Sequence, residues 1–572
     1  MLKTLKRYYN LIDEHKTSLL LAIVLVIISG GLAVLPVKFT GAITDAIKLN
    51  NLNYDYLIRN IILLLIMLVV TYFFDAFYNY VVFRNFYYVD CSVRVKILKK
   101  SIRQNPPFFI KYNASNIITK STSDSDAVAT VASYGVMTAA EGILLPIIYF
   151  ITMATISPWL LLVALISLPI MVYFVVQISN KLDRIYNKTL ESQDAMNEHA
   201  LESFTSIKVI KAFCIKNTRL REFLDKVNDN HDKELAVNRL ENLYVPVVSG
   251  IMSIFAITSI IIGAFLISKG KITLGDLVTH SMLLAQLGWP AFAVADLIVI
   301  SKNGSLSLKR IDEILNYKED PKPINPIDIN DIKTIELNNY SFKYPYAENY
   351  ALKNINLNIK SGQKIGIVGK TGSGKTTLLR QLVPEYSEFE GSFKINDINV
   401  NKINLDSYHK NIGYVPQEHF LFSKSVKDNI LFFRNGDYQK AIDIVAFRKD
   451  LESFVDGVET MCGEMGVTLS GGQKQRVSLA RGVLTTPKVL ILDDVLSAVD
   501  NKTEKEIVNN LNENFSNLTV IISSHRLSVV KDADEIIVLD NGEISERGTF
   551  DELINSGGWF SEQYKSQEVS HE

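Results

Sequence analysis

Six long apolar runs crowd the N-terminal half of the chain and decide most of what it can fold into. They cover approximately Ser18 to Val37, Leu57 to Phe83, Gly135 to Ile156, Trp159 to Ile178, Val245 to Ile267 and Leu274 to Ile300. A helix needs about 20 mainly apolar residues to cross the hydrocarbon core, where lipid offers stray backbone groups nothing to bond. The runs therefore predict six membrane-spanning helices, and an even number returns both chain ends to one side. Little more than Ser157 and Pro158 separates the third run from the fourth, so a tight turn is expected there. The leading MLKTLKRYYN is basic, but the apolar run behind it lacks a small-residue cleavage site and is followed by others. It reads as a retained span and not as a secretory signal.

Basic residues set the orientation. Arg84, Arg94, Lys96, Lys99, Lys100 and Arg103 follow the second span, and Lys181, Arg184, Lys188, Lys208 and Lys211 follow the fourth. Both stretches read as cytoplasmic. They are long and helically patterned, whereas the opposite-side connections are short, so the spans are expected to continue as rods into the cytosol. The protein is thus expected in the cell membrane as a multi-pass chain, with both termini cytoplasmic.

From Pro321 the texture changes. PKPINPIDIND is a Pro- and Asp-rich linker, after which short β-branched runs alternate with helical stretches. IGIVG, VLILDD and TVIISSH are apolar runs of the kind that fills a buried parallel sheet. The expected organisation is an all-α six-helix transmembrane domain over 1–318, a linker over 319–333 and a cytoplasmic α/β domain over 334–572. A length of 572 residues asks for at least two domains in any case. With 60 Lys+Arg against 61 Asp+Glu the chain is nearly neutral, which argues against a general nucleic-acid binder. Cys91, Cys214 and Cys462 stand apart with no CxxC spacing, so neither a metal cluster nor a disulfide framework is indicated.

Directly after IGIVG comes Gly369-Lys370-Thr371-Gly372-Ser373-Gly374-Lys375-Thr376, a full GxxxxGKT, followed by Thr377 as a further ATP-binding candidate. Its glycines let the backbone curl so that N–H groups face phosphate oxygens. Lys375 adds charge at the β and γ phosphates, and the Thr376 hydroxyl can hold Mg²⁺. VLILDDV places Asp493 at the end of an apolar strand, where its carboxylate can orient that ion. Together these define a P-loop NTPase with Mg²⁺. A second phosphate-binding surface follows from Leu469-Ser470-Gly471-Gly472-Gln473, where a hydroxyl and close-approaching N–H groups sit at an expected helix start. One nucleotide cannot easily use both surfaces of a single chain.

In these motifs the sequence resembles the ABC transporter family, whose signature peptide closes over the nucleotide held by the P-loop of the other subunit. The resemblance runs along nearly the whole chain and implies further roles. Tyr344 in SFKYP resembles the aromatic residue that stacks on adenine. Gln417 in YVPQE matches the loop that senses Mg²⁺ and touches the membrane domain. Ser497-Ala498-Val499-Asp500 resembles the loop that crosses between the two sites, and His525 matches the switch histidine that contacts the γ phosphate. NPPFFIKYN and ALESFTSIKVIKAF resemble the two coupling segments of the exporter branch, although Asn113-Ala-Ser-Asn116 stands where a glycine is usual. The implied fold and function are those of a type I exporter half, an ATP hydrolase that moves amphipathic small molecules or peptides by alternating access.

A catalytic position also departs from the family. The Mg²⁺-binding Asp is normally followed by a Glu that polarises the attacking water, and here Asp494 stands in its place. A shorter side chain implies a site that binds ATP well and hydrolyses it slowly, with Asp494 and His525 as its catalytic pair. This resembles one subunit of heterodimeric exporters, which lends its signature peptide to a partner. A homodimeric exporter or lipid flippase is the alternative, and an ATP-gated channel or regulator that does not pump is a rival of another class.

Three ionisable residues lie within the apolar runs: Asp75, Glu141 and Asp296. Such residues are costly in lipid and usually face a cavity. Counted along the helices they fall at similar depth towards the inner leaflet, near Tyr72, Phe73, Phe74, Phe77, Tyr78 and Tyr80. An acidic, aromatic vestibule would favour cationic amphiphiles. The competing reading is an interfacial aromatic belt with the carboxylates paired to neighbours such as Arg84 or Lys302.

Overall fold

The computed structural model describes residues 16–48, 54–319, 323, 325–463, 466, 468–497, 499–515 and 517–569. Ala498 and part of the expected linker lie outside the described residues. The chain divides into two compact units, Met1–Ile102 with Ala114–Tyr317, and Arg103–Asn113 with Lys318–Glu572.

The first unit is helical and, among the described residues, contains six helices long and apolar enough to cross a membrane. The spans expected from sequence are all present, and most run well past the apolar stretch. Examples are Tyr54–Ile102 with 49 residues and Pro158–Thr205 with 48. The tight turn is a single residue. Ser157 adopts an extended conformation that ends the helix Leu145–Ile156, and Pro158 opens the next at its first position, where its missing N–H costs nothing.

Among the described residues three spans depart from simple rods, and one of them is the fifth, Lys216–Ser268, which turns at Asn242 and Leu243 between the helices Lys216–Glu241 and Tyr244–Ser268. The third, Ala114–Ile156, is interrupted by π-turns at Lys120–Asp124, Val131–Gly135 and Ala140–Leu144. The sixth breaks at Leu287 into Leu274–Gln286 and Gly288–Leu315. Small residues let the first and sixth spans touch backbone to backbone: a Cβ on Gly275 would stand 2.1 Å from the Gly41 carbonyl oxygen. The Asp45 carboxylate accepts the Gly275 N–H at 2.7 Å and caps that contact. Side chains such as Leu65, Ile66, Ile257 and Ile261 remain more than half exposed, the outward apolar face that lipid covers.

The second unit is α/β. An antiparallel sheet of order β2-β1-β4-β5 is formed by β1 (Thr334–Phe342), β2 (Leu352–Lys360), β4 (Glu390–Ile395) and β5 (Ile398–Asn399). A second sheet of order β10-β9-β3-β8-β7-β6 joins β3 (Lys364–Gly369), β6 (Ile412–Val415), β7 (Val489–Asp493), β8 (Thr519–Ser523), β9 (Glu535–Asp540) and β10 (Glu543–Gly548). All its pairings are parallel except β9 with β10. IGIVG, VLILDD and TVIIS thus form three adjacent buried strands, as their unbroken apolar character requires. Their register sets Asp493 beside Ser523 and Ile367 beside Ser523, so the C-terminal strand ends gather the chemistry at one edge. A helical lobe carries the helix Gly471–Val483 on a separate core that includes Leu421, Val426, Ile430, Phe447, Val477 and Leu490.

Candidate nucleotide site and membrane carboxylates

The loop between β3 and the helix Lys375–Leu382 is tightly wound through three glycines. Gly369, Gly372 and Gly374 have φ of 147°, 83° and 105°, where a Cβ is strained. At Gly369 a Cβ would also lie 2.2 Å from the Leu539 carbonyl oxygen, so no other residue fits. Lys370, Thr371 and Gly372 form the exposed rim, while Ser373, Lys375 and Thr377 are buried. The Lys375 Nζ donates to the carbonyls of Gly369 and Lys370 at 2.8 and 2.9 Å, which folds the ammonium across the loop. Burial pulls its pKa down, and the carboxylates of Asp494 and Asp493 oppose that shift.

Asp493 is 2% exposed. Its Oδ1 accepts the Thr376 hydroxyl at 3.2 Å and the Ser523 hydroxyl at 2.7 Å. Its Oδ2 is buried with no hydrogen-bond partner, an expensive condition for a carboxylate oxygen. A hard cation between Asp493 and Thr376 would relieve it, so the donor set fits Mg²⁺. The Ser373 Oγ and one Asp494 oxygen are likewise buried without partners at this edge. Asp494 adopts φ of 49°, with its N–H on Ser523 and its carbonyl accepting Ser497 Oγ at 2.9 Å. Burial raises the Asp494 carboxyl pKa, against favourable interactions with His525 and its backbone N–H.

Tyr344 reaches the same place: its hydroxyl donates to Thr377 Oγ1 at 3.1 Å and its ring meets Phe342 and Tyr386 edge-on. His525 is exposed at the end of the β8 loop. Gln417 is exposed two residues beyond β6, and no described side chain hydrogen-bonds it. Ser470 begins the helix Gly471–Val483 as expected. Its hydroxyl accepts the Gln473 N–H, and the Gln473 side chain accepts the Ser470 N–H in return, a complete capping box. No described hydrogen bond joins Ser470, Gly471, Gly472 or Gln473 to the Gly369 loop. Asp500 spends its carboxylate on the N–H groups of Lys502 and Thr503, capping the helix Asn501–Asn514.

Several residues that sequence reasoning missed hold this machinery. Asp450 accepts Gln473 Nε2 at 3.1 Å and both terminal nitrogens of Arg476 at 2.6 and 3.0 Å, and Arg476 lies over the Phe447 ring. Gln567, near the C-terminal end, donates to the His525 carbonyl and accepts the Leu527 N–H. Gln475 donates to Ser497 at 3.3 Å, tying the Gly471–Val483 helix to the loop after Asp494. None carries a local sequence signal, because each acts on a partner that only folding brings near.

In the membrane unit, Asp75 accepts the Ser29 hydroxyl and Glu141 accepts the Trp289 indole N–H at 2.8 Å. Asp296 has no described hydrogen-bond partner, and Tyr134 lies within electrostatic reach of both Asp296 and Glu141. The competing sequence reading named Arg84 and Lys302 as counter-charges, and the structure engages both elsewhere. Arg84 sits over the Tyr80 and Tyr88 rings, and Lys302 pairs with Asp183 at 2.8 Å.

A glycine-wound loop, a buried carboxylate with an unpartnered oxygen and a capped Ser-Gly-Gly helix on one α/β unit, in a chain whose described residues include six helices apolar enough to cross a membrane, fit the class of membrane-bound P-loop ATPases. Comparison with known proteins agrees. The ABC transporter transmembrane region matches residues 19–291 and the ABC transporter domain matches 352–497. A probable multidrug resistance ABC transporter ATP-binding/permease protein, YheI of Bacillus subtilis (strain 168), is 35% identical over 555 residues, covering 96% of this chain and 95% of that one. The multidrug resistance-like ATP-binding protein MdlA of Escherichia coli (strain K12) is 32% identical over 559 residues, covering 96% and 94%. The solved structure of a bacterial Atm1-family ABC exporter with ATP bound superposes with a TM-score of 0.82 at 21% identity, over 97% of this chain and 99% of that one. The chain belongs to the ABC transporter family and has the half-transporter layout, one membrane region followed by one ATP-binding domain.

Proposed function

We propose that this chain is one half of a dimeric exporter that uses ATP binding and hydrolysis to carry amphipathic molecules across the cell membrane by alternating access. The observation that carries this reading is the orphaned Asp493 Oδ2 beside Thr376 in a chain with six spans. In it, Gly369 to Thr377 grip the phosphates, Tyr344 faces the base, and Thr376, Asp493 and Gln417 hold Mg²⁺. Bound Mg²⁺ would neutralise charge on the phosphate oxygens. Ser470 to Gln473 complete the pocket of the other subunit, whose P-loop supplies the rest of that site. Asp500 and its loop lie between the two sites. The basic residues after the second and fourth spans support a cytoplasmic ATPase domain, and Asp75, Glu141 and Asp296 would line the transport path.

The partner is a second, different half-transporter, and Asp494 is the reason. An aspartate holds its carboxylate about 1.5 Å further from the water than a glutamate would, and misplacement of about 1 Å can cost on the order of a hundredfold in rate. His525 and the capped Ser470 are intact, so this domain remains equipped to serve the other site. Reconstituted alone, the chain should turn over ATP slowly, and Asp494→Glu should raise that rate at least about tenfold. Copurification from native membranes should yield a second half-transporter and ATP-dependent efflux. Robust turnover by the lone wild type would overturn the heterodimer, and the absence of ATP-driven flux from every assembly would overturn export.

A further inference from the structure

We propose that Asp75, Glu141, Tyr78 and Trp289 form a subsite for the charged head of an organic cation, a substrate class for the transport path inferred above and resting on that inference. The first support is charge without a counter-charge. Asp75, on the helix Tyr54–Ile102, and Glu141, in the π-turn Ala140–Leu144, interact electrostatically with one another and with the same phenol, Tyr78. No described cationic side chain forms an ion pair with either, and Arg84 and Lys302 are engaged elsewhere. Neutral donors, Ser29 and Trp289, are their described hydrogen-bond partners. Each carboxylate offers about four acceptor positions, so one neutral donor leaves most of that capacity unused.

The second support is independent of the acidic pair. Tyr78 is 5% exposed, and its hydroxyl is buried with no hydrogen-bond partner. A buried, unpartnered phenol beside two carboxylates is costly unless something else completes the group. Tyr149, also 5% exposed, lies within electrostatic reach of the same two carboxylates, and Trp289 leaves 58% of its surface open next to Glu141. Glu141 lies in the π-turn Ala140–Leu144, a helix irregularity that recurs at functional sites.

The chemistry of the walls selects the ligand. A small inorganic cation asks for six or more oxygens in a closed shell. Here carboxylates from two helices face aromatic rings, which suit a charge spread over an apolar body. The occupant is therefore a hydrophobic organic cation. Its head meets Asp75 and Glu141 while its body lies against Trp289 and the aromatic face of the second span.

Tetraphenylphosphonium and its isosteric anion tetraphenylborate test this directly. The full chain, with whatever partner copurifies, is placed in neutral-lipid nanodiscs without nucleotide, and binding is measured at equilibrium against empty nanodiscs. The wild type should bind the cation and discriminate against the anion. Asp75→Asn with Glu141→Gln should weaken cation binding at least about tenfold, the scale of losing Coulomb attraction in a partly buried site. ATP photolabelling at Lys375 should be unchanged. Unaltered cation affinity in the double variant, or equal binding of the borate, would overturn the subsite. If the double variant loses ATP labelling, Asp75→Asn alone, which preserves an acceptor for Ser29, carries the test. Carboxylate-dependent cation binding without ATP-driven flux would leave the subsite standing and sink the export reading, and the reverse result would do the opposite.

Discussion

Asp494 combines three properties that follow from its place after β7. Its backbone lies in the left-handed region, which Asp tolerates better than most residues with a Cβ. Its N–H is held by Ser523, so the side chain has little freedom to reach forward. Its carboxyl pKa is raised chiefly by burial, with His525 pulling the other way. A general base works only when deprotonated. Hydrolysis at this site should therefore fall, as pH drops, through a pKa above the usual carboxylate range. His525→Ala should move that acid limb to higher pH, because it removes a favourable partner of the charged form. A pH–rate profile of the two proteins measures both effects. Asp450 makes a different prediction. Asp450→Asn should weaken the grip on Gln473 and Arg476 and slow hydrolysis at the composite site by about tenfold to a hundredfold, as a small misplacement would. ATP labelling of the chain's own Lys375 loop should not change. The GxxxxGKT run was legible because its spacing is contiguous, although Thr376 and Thr377 find their partners Asp493 and Tyr344 far along the chain. Asp450 and Gln567 were not, because their partners lie 23 and 42 residues away.

Helices and strands were read with similar asymmetry. Six apolar runs, three strand-like runs and a helix start at Ser470 all appear where apolar length and motif placed them. The π-turns of the third span and the break at Leu287 did not show, since both depend on how neighbouring helices press on the backbone. Gly41 and Gly275 illustrate this. Neither belongs to a motif, yet their backbones approach so closely that Gly275→Val should force the first and sixth spans apart. Overpacking of this kind costs about 1–3 kcal/mol. A lowered unfolding midpoint in detergent would report it, while ATP labelling of the isolated cytoplasmic chemistry should persist.

At the scale of the whole molecule, the shared-site reading proposed above requires a second polypeptide. Ser470 to Gln473 cap their own helix with exposed Ser470 and Gly471, and no described hydrogen bond connects them to the Gly369 loop. Mass photometry of the protein in nanodiscs should show two half-transporters per particle once Mg-ATP is added. A particle that stays monomeric under saturating Mg-ATP would end the shared-site mechanism. Inside-out vesicles check orientation: a C-terminal tag should be open to protease there and shielded in right-side-out vesicles.

The sequence by itself determined the six spans, the parallel strands and the local nucleotide motifs, because hydrophobic length, period and contiguous backbone geometry are properties of short stretches. Tertiary structure decided which distant side chains meet: Asp493 with Thr376 and Ser523, Glu141 with Trp289, and Asp450 with Arg476. The physical reason is that a lone carboxylate has no role until burial removes water and leaves its remaining oxygens to be satisfied by whatever the fold sets beside them.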